Sequence, residues 1–459
     1  MTALSRWLDP SGCPAEPPPL EAMAATTRAL HEALDKHARR TGVPYLHPDE
    51  PTVQQDVLGS ARVIAWQEGK AAFLFAAEGC WSELPPLYAR YGTGATGELI
   101  ARLKALEGAG ATLVCDSGMQ ATALVFDTLM APGAHAVVCR QIYNKTKSYM
   151  RWLADRLGGA VTIVDDGDHA AILAAIRPAT RVVFAETFTN PLVRAQDVPA
   201  LVALVAVARA IAPDVKLVID TTIATPWAFA TPPLVQGVDV VVASGTKALG
   251  GTDRDLWGYI ATSDTPTANS LMDLMAMRGG ILDWRRAAAV LSGLDDVEQA
   301  HARRSATATG VAAFLAVHPQ VSEVFHPSRP DHPDAALIAR DYRRHGSLLS
   351  FRVRGADEAR TRHVADVVAM TTIVRYALSF DGLATKINHH QTVSEYFTPA
   401  DELRRSGFDR LLRLGIGLEH PDDLMAALNW ALHHAEAITP GEVAAWQQAR
   451  TAALGCRPG

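Results

Sequence analysis

Seven short apolar runs, most of them separated by longer helical stretches, constrain the fold of this 459-residue chain more than any other feature. They are Thr112–Cys115, Ala136–Cys139, Val161–Val164, Val182–Ala185, Lys216–Ile219, Val238–Val242 and Trp257–Ile260, with helices expected at Ala121–Met130 and Pro199–Ala212 among others. Runs of this length without polar alternation, joined by helices, predict an α/β fold with a mainly parallel sheet covered on both faces. Ligands of such sheets bind beyond the carboxyl ends of the strands, so the residues that follow each run are the candidates for chemistry. From Arg285 to about His318 the pattern is that of one long amphipathic helix. A smaller α/β region follows, with strands expected at Leu348–Val353 and Leu411–Gly417 and a closing helix from Pro421 to Ile438. Residues 1–85 read as an arm, Pro-rich at its start, helical from Leu20 to Arg40, with Trp66, Phe73, Phe75 and Trp81 as apolar anchors. The expected division is an arm over 1–85, a large domain over 86–290 and a small C-terminal domain over 291–459.

Charge and cysteine usage narrow the function classes. A net charge of -6 argues against nucleic acid or anionic membrane as main partners. Five scattered cysteines without CxxC spacing point to a reducing compartment and to no metal site. The N-terminus lacks the apolar core of a signal peptide, and the longest apolar run, Ala200–Ala212, is interrupted by Arg209 and too short to span a bilayer. A cytoplasmic location is expected.

Several residues stand at the predicted strand ends. Val240-Val241-Val242-Ala243 runs into Ser244-Gly245-Thr246-Lys247, in a chain whose 43 basic residues are mostly Arg. A lysine just past a buried strand is placed either to snorkel or, with its amine deprotonated by burial, to form a Schiff base. Ser244 and Thr246 can offer hydroxyls to a phosphate. Asp220, followed by Thr221-Thr222, suits a helix cap or a partner for a protonated ring nitrogen. Ser117-Gly118-Met119 opens a helix whose first backbone N–H groups suit an anion. Gly92-Thr93-Gly94-Ala95-Thr96-Gly97 is a literal GxGxxG, but Pro85 and Pro86 just before it argue against the strand a dinucleotide site needs. There Tyr88 and Arg90 are the informative residues, Arg being a natural phosphate clamp. Tyr143 suits either a half-buried tyrosine or a ring stacked on a planar cofactor. Arg413, in an apolar stretch, needs a partner: a substrate carboxylate or an internal acid.

In their order these residues resemble the cystathionine γ-synthase type of pyridoxal-phosphate enzyme, of fold type I. The order is Tyr88-x-Arg90, Leu106-Glu107-Gly108, Ser117-Gly118-Met119, Tyr143, Glu186 to Pro191, Asp220-Thr221-Thr222, Ser244 to Lys247, and Leu412-Arg413-Leu414-Gly415. The resemblance implies pyridoxal 5'-phosphate as cofactor and a large domain with a mostly parallel seven-stranded sheet. It implies that Lys247 bonds the cofactor and shuttles protons, Asp220 pairs with its ring nitrogen, and Tyr143 stacks on the ring. Gly118, Met119, Ser244, Thr246 and Thr222 are implied in cofactor binding, and Asn190, Arg413 and Ser379 in holding the substrate. Tyr88 and Arg90 are implied to complete the neighbouring subunit's site, in a dimer at least and usually a tetramer, with the N-terminal arm packed on that neighbour. The implied reaction is elimination at Cγ of a C4-substituted L-amino acid, or replacement there.

Departures from the family pattern fall on the substrate side. The family's Tyr-Gly-Gly-Thr reads Tyr143-Asn144-Lys145-Thr146; the residue after the lysine is Ala248; and a family glutamate is replaced by Ala384. They point to a lyase acting on a non-standard substrate, such as a canavanine-type or γ-chloro or unsaturated amino acid. The alternatives are a γ-replacement enzyme and a catalytically silent cofactor-binding protein.

Overall fold

The computed structural model describes residues 89–250, 254–371, 373–396 and 398–453. Tyr88 and the 1–85 arm lie outside the described residues. All seven expected strands form one sheet: β1 (Ala111–Cys115), β2 (His135–Cys139), β3 (Ala160–Val164), β4 (Thr180–Glu186), β5 (Lys216–Asp220), β6 (Val240–Ala243) and β7 (Gly258–Thr262). Their order is β1-β7-β6-β5-β4-β2-β3. β7 alone runs antiparallel, to both β1 and β6, so the sheet is mostly parallel as expected.

Burial explains the absence of alternation in the runs. Every residue of β2, β6 and β7 is buried, because helices cover both faces. Two of these helices matter for the site: α1 (Gly118–Leu129), which follows β1, and α2 (Asn144–Arg156), which follows β2. The GxGxxG stretch starts a helix instead, with Thr93 and Thr96 forming a reciprocal capping box over Gly94–Glu107.

The helix expected from Arg285 is α3 (Trp284–Val317). Its first half, with Ala287, Val290 and Leu294, belongs to the core of the seven-stranded sheet. Its second half, with Ala308, Val311, Ala312 and Leu315, belongs to a second core. That core is built on β8 (Val321–Phe325), β9 (Leu348–Val353), β10 (Arg375–Tyr376), β11 (Lys386–His389) and β12 (Leu412–Gly415), in the order β10-β11-β12-β9-β8. The helix expected to close the chain, observed over Pro421–His434, is followed by another, Pro440–Ala453. Thr439 and Glu442 start that helix by exchanging side-chain-to-backbone hydrogen bonds, a signal the apolar periodicity did not carry. No helix among the described residues is long and apolar enough to cross a membrane.

Candidate active site

Strand register sets the floor of the site. Glu186 of β4 pairs with Asp220 of β5, and Asp220 with Val242 of β6, so these three strands end level. Beyond that edge lies a cavity of about 600 Å³. Gly118, Met119, Tyr143, Asn190, Asp220, Thr222, Ser244, Thr246, Lys247, Ser379 and Arg413 all line it. Arg90 is exposed, with its guanidinium 5.4 Å from the Tyr91 ring centroid, and is not among the lining residues.

The antiparallel β7 brings the phosphate-side residues together. Cys115 at the end of β1 pairs with Gly258, and Ala243 at the end of β6 pairs with Tyr259. The start of α1 is thereby pressed against Ser244. A Cβ on Gly118 would lie 2.5 Å from Ser244 Cβ and 2.8 Å from its Cα, while a Cβ on Gly258 would lie 2.6 Å from Gly118 Cα. Only hydrogen fits at either place. Ser117 caps α1 by accepting from the Gln120 N–H at 3.1 Å, which leaves the N–H groups of Gly118 and Met119 without intrahelical acceptors. With the Ser244 hydroxyl beside them they form a cradle for a phosphate.

Two of the expected hydroxyl ligands also hold the scaffold. Thr222 accepts from the Ser244 N–H at 2.9 Å, and its own N–H donates to Asp220 Oδ1 at 2.8 Å. The Thr246 hydroxyl accepts from the Trp257 N–H at 2.9 Å and donates to the Trp257 carbonyl at 3.1 Å.

Asp220 is buried, and burial lifts its carboxyl to about 6. No ion pair to it occurs among the described residues, so a protonated ring nitrogen fits the place electrostatically. Glu186 beside it is a site residue that sequence reasoning missed. Its Oε1 accepts the Tyr143 N–H at 2.6 Å, and burial next to Asp220 pushes its carboxyl well above the usual range. The signal was present in the sequence, since Glu186 opens the Glu186-Thr187-Phe188-Thr189-Asn190-Pro191 stretch, but a strand-end acid alone names no role. Tyr143 itself is 45% exposed, with its ring on the cavity wall.

Lys247 Nζ donates to Ser379 Oγ at 2.8 Å and sits 5.2 Å from the Phe380 ring centroid. The Arg413 guanidinium is 5.6 Å from the same ring. Phe380, unforeseen in the sequence, thus stands next to both basic side chains. Arg413 is 3% exposed and bonds Asn190 Oδ1 at 3.1 Å and the Leu378 carbonyl at 3.0 Å. The sequence left two partners open; neither of these two bonds is to an acid, while the buried Asp381 lies near enough to favour the charge of Arg413. Burial holds its pKa down near 10, still a cation at neutral pH. The loop that carries Asn190 is anchored at both sides, by Ser350 of β9 donating to the Pro191 carbonyl at 2.8 Å and by Arg194 pairing with Asp334 at 2.6 and 2.8 Å.

The profile of the family "Cys/Met metabolism PLP-dependent enzyme" matches residues 72–433. The chain is 32% identical over 347 residues to a chloroplastic cystathionine gamma-synthase of Arabidopsis thaliana, covering 75% of this chain and 60% of the relative. It is 32% identical to a cystathionine gamma-synthase of Mycobacterium bovis, covering 75% of this chain and 86% of the relative. An L-methionine gamma-lyase of Fusobacterium nucleatum is 29% identical over 75% of this chain and 86% of its own length. Among solved structures, a cystathionine gamma-lyase from Lactobacillus plantarum complexed with L-serine superposes with a TM-score of 0.70 at 26% identity, over 76% of this chain and 89% of the other.

Proposed function

Because the chain belongs to the PLP-dependent enzymes of Cys/Met metabolism, we propose that its cavity eliminates the Cγ substituent of a C4-substituted L-amino acid. The observation that carries this reading is the pairing of Lys247 and Arg413 around one ring, Phe380, within a single cavity. A lysine nucleophile alone serves many reactions; a buried arginine beside it adds a clamp for an α-carboxylate and so specifies an amino acid.

Pyridoxal phosphate, when bound, supplies an electron sink for negative charge developing next to the substrate's amino group. The N–H groups of Gly118 and Met119 and the hydroxyl of Ser244 would hold its phosphate, the Thr246 hydroxyl joining them on giving up its bond to the Trp257 carbonyl, and Thr222 keeps Ser244 and Asp220 in place. Asp220 would keep a proton on the ring nitrogen, and Tyr143 would pack on the ring. Arg413 and Asn190 hold the substrate carboxylate, which turns Cα toward Lys247. Lys247 Nζ takes the Cα proton and returns protons further along the chain; Ser379 orients that amine. Tyr88 and Arg90 would reach the phosphate of a neighbouring subunit, in a dimer or larger assembly. The substrate is non-standard at its distal end, a reading supported by Asn144 and Lys145, which line the wall where the family pattern has two glycines.

The test is a panel of Cγ-substituted L-amino acids incubated with the cofactor-loaded enzyme, with α-keto acid measured with and without an added thiol. Keto acid released in water alone is expected. Product formed only with the thiol would make the protein a γ-replacement enzyme. Turnover of cystathionine or O-acylhomoserine at ordinary enzyme rates would overturn the non-standard substrate.

A further inference from the structure

The chain leaves the sheet at Cys139: β2 pairs with β3 as far as that residue and with β4 as far as Val138. Arg140 to Tyr143, which lead into α2, therefore lie past the ladder. Acids from the two flanking strands take over. Arg140 pairs with Asp165, the Gln141 N–H donates to Asp166 Oδ2 at 3.0 Å, and the Tyr143 N–H donates to Glu186 Oε1 at 2.6 Å. Asp165 and Asp166 follow β3, and Glu186 ends β4. Tyr143 needs such a hold. It is the N-cap residue of α2 but makes no side-chain capping bond among the described residues, and its ring is half exposed. Packing on one side only cannot fix that ring, so the position of its backbone decides where it stands.

Glu186 is 5% exposed and faces Asp220 of β5, Asp166, Lys147 of α2 and the Cys139 thiol of β2. Burial, reinforced by Asp220, pushes its carboxyl well above the usual range, against the pull of the Tyr143 N–H and Lys147. Asp220 rises only to about 6 and so ionises first, which leaves Glu186 with its proton. A neutral carboxyl still offers its carbonyl oxygen to the Tyr143 N–H.

We propose that Glu186 is the positioning residue for Tyr143, a hydrogen-bond acceptor that fixes where the tyrosine ring meets the cofactor. This rests on the reading that Tyr143 packs on the cofactor ring. Glu186 acts through a backbone group and leaves the pairing with the ring nitrogen to Asp220.

Equilibrium dialysis of the full-length protein and its variants against pyridoxal phosphate tests this without turnover. Glu186→Gln keeps a carbonyl acceptor and removes the acid, and its affinity is expected to stay within about twofold of wild type. Glu186→Met has similar length but no acceptor. It strands the Tyr143 N–H and is expected to bind on the order of tenfold more weakly. Glu186→Asp keeps the acid but withdraws the acceptor by a methylene. It is expected to weaken likewise, and it decides the matter should the Met variant not fold. In a Tyr143→Ala background Glu186→Met is expected to add nothing, because the ring it places is gone. The absorbance maximum of the bound cofactor is expected to move in Glu186→Met toward that of Tyr143→Ala, and to stay in place in Glu186→Gln. Glu186→Gln binding as weakly as Glu186→Met would make the acid, not the acceptor, the working part. A loss in Glu186→Met that persists undiminished beside Tyr143→Ala would make the bond merely structural. Either result overturns the proposal, as would Met and Asp variants that bind like wild type. Tyr143→Ala with wild-type affinity and absorbance would remove the stacked ring itself, and the role of Glu186 with it.

Discussion

The two walls of the cavity are built differently. The strand-end wall is crowded: a Cβ on Gly118 would collide with backbone, and one on Gly245 would lie 2.2 Å from the Trp257 ring. Its hydroxyls and amides are tied to one another through Thr222, Asp220, Thr246 and Trp257. The mouth wall is open: Leu256 is 57% exposed, Leu378 71% and Tyr396 63%. Changes at the first wall displace scaffold as well as ligand, whereas changes at the second cost little packing. On the proposed reading the cofactor side is built into the fold, whereas the substrate side rests on side chains whose change costs little packing.

Substitutions along this contrast grade from severe to mild. Lys247→Ala removes the proposed base and cofactor-bonding residue, and turnover should fall on the order of a thousandfold in a keto-acid assay. Asp220→Asn tests whether the buried acid is kept for the cofactor at the expense of the apoprotein. Asp220 has a folded-state pKa of about 6, above the ordinary 3.8. The folded state therefore holds the proton more tightly, and the apoprotein loses stability as pH rises from about 4 through 6. That stabilising contribution is complete below the lower value and gone above the higher. The Asn variant should show a flatter decline and, at pH 7.5, an apoprotein more stable than wild type by roughly 2 kcal/mol in denaturant melts, while its cofactor affinity drops. An unchanged pH profile would remove the contrast on the acid side.

Gly118→Ala should weaken cofactor binding by roughly ten- to a hundredfold in equilibrium dialysis, the cost of overpacking against Ser244. Arg413→Lys keeps the charge and loses the planar fork, so KM for the amino acid should rise about tenfold with a smaller change in kcat. A fall in kcat alone would place Arg413 outside the carboxylate site.

The strand-end wall was legible in the sequence because its signals are local. Apolar runs without alternation announce a sheet buried on both faces, and Asp220, Ser244 and Lys247 follow those runs directly. The rest depends on segments far apart in the chain. Phe380 joins Lys247 and Arg413, which are brought together only by docking of the second sheet. Tyr396 meets Lys145 across about 250 residues. Glu186 acts through a backbone N–H, which leaves no pattern in side-chain order.

The most direct test of the account is to trap the bound cofactor chemically. Wild-type protein loaded with pyridoxal phosphate should show a visible absorbance band that survives gel filtration. Borohydride reduction should then fix the cofactor on the tryptic peptide containing Lys247, read by mass spectrometry. Lys247→Ala should show neither the retained band nor the modified peptide. A reduced adduct on another lysine, or a wild-type protein that retains no cofactor, would contradict the assignment of Lys247 and of the cavity around it.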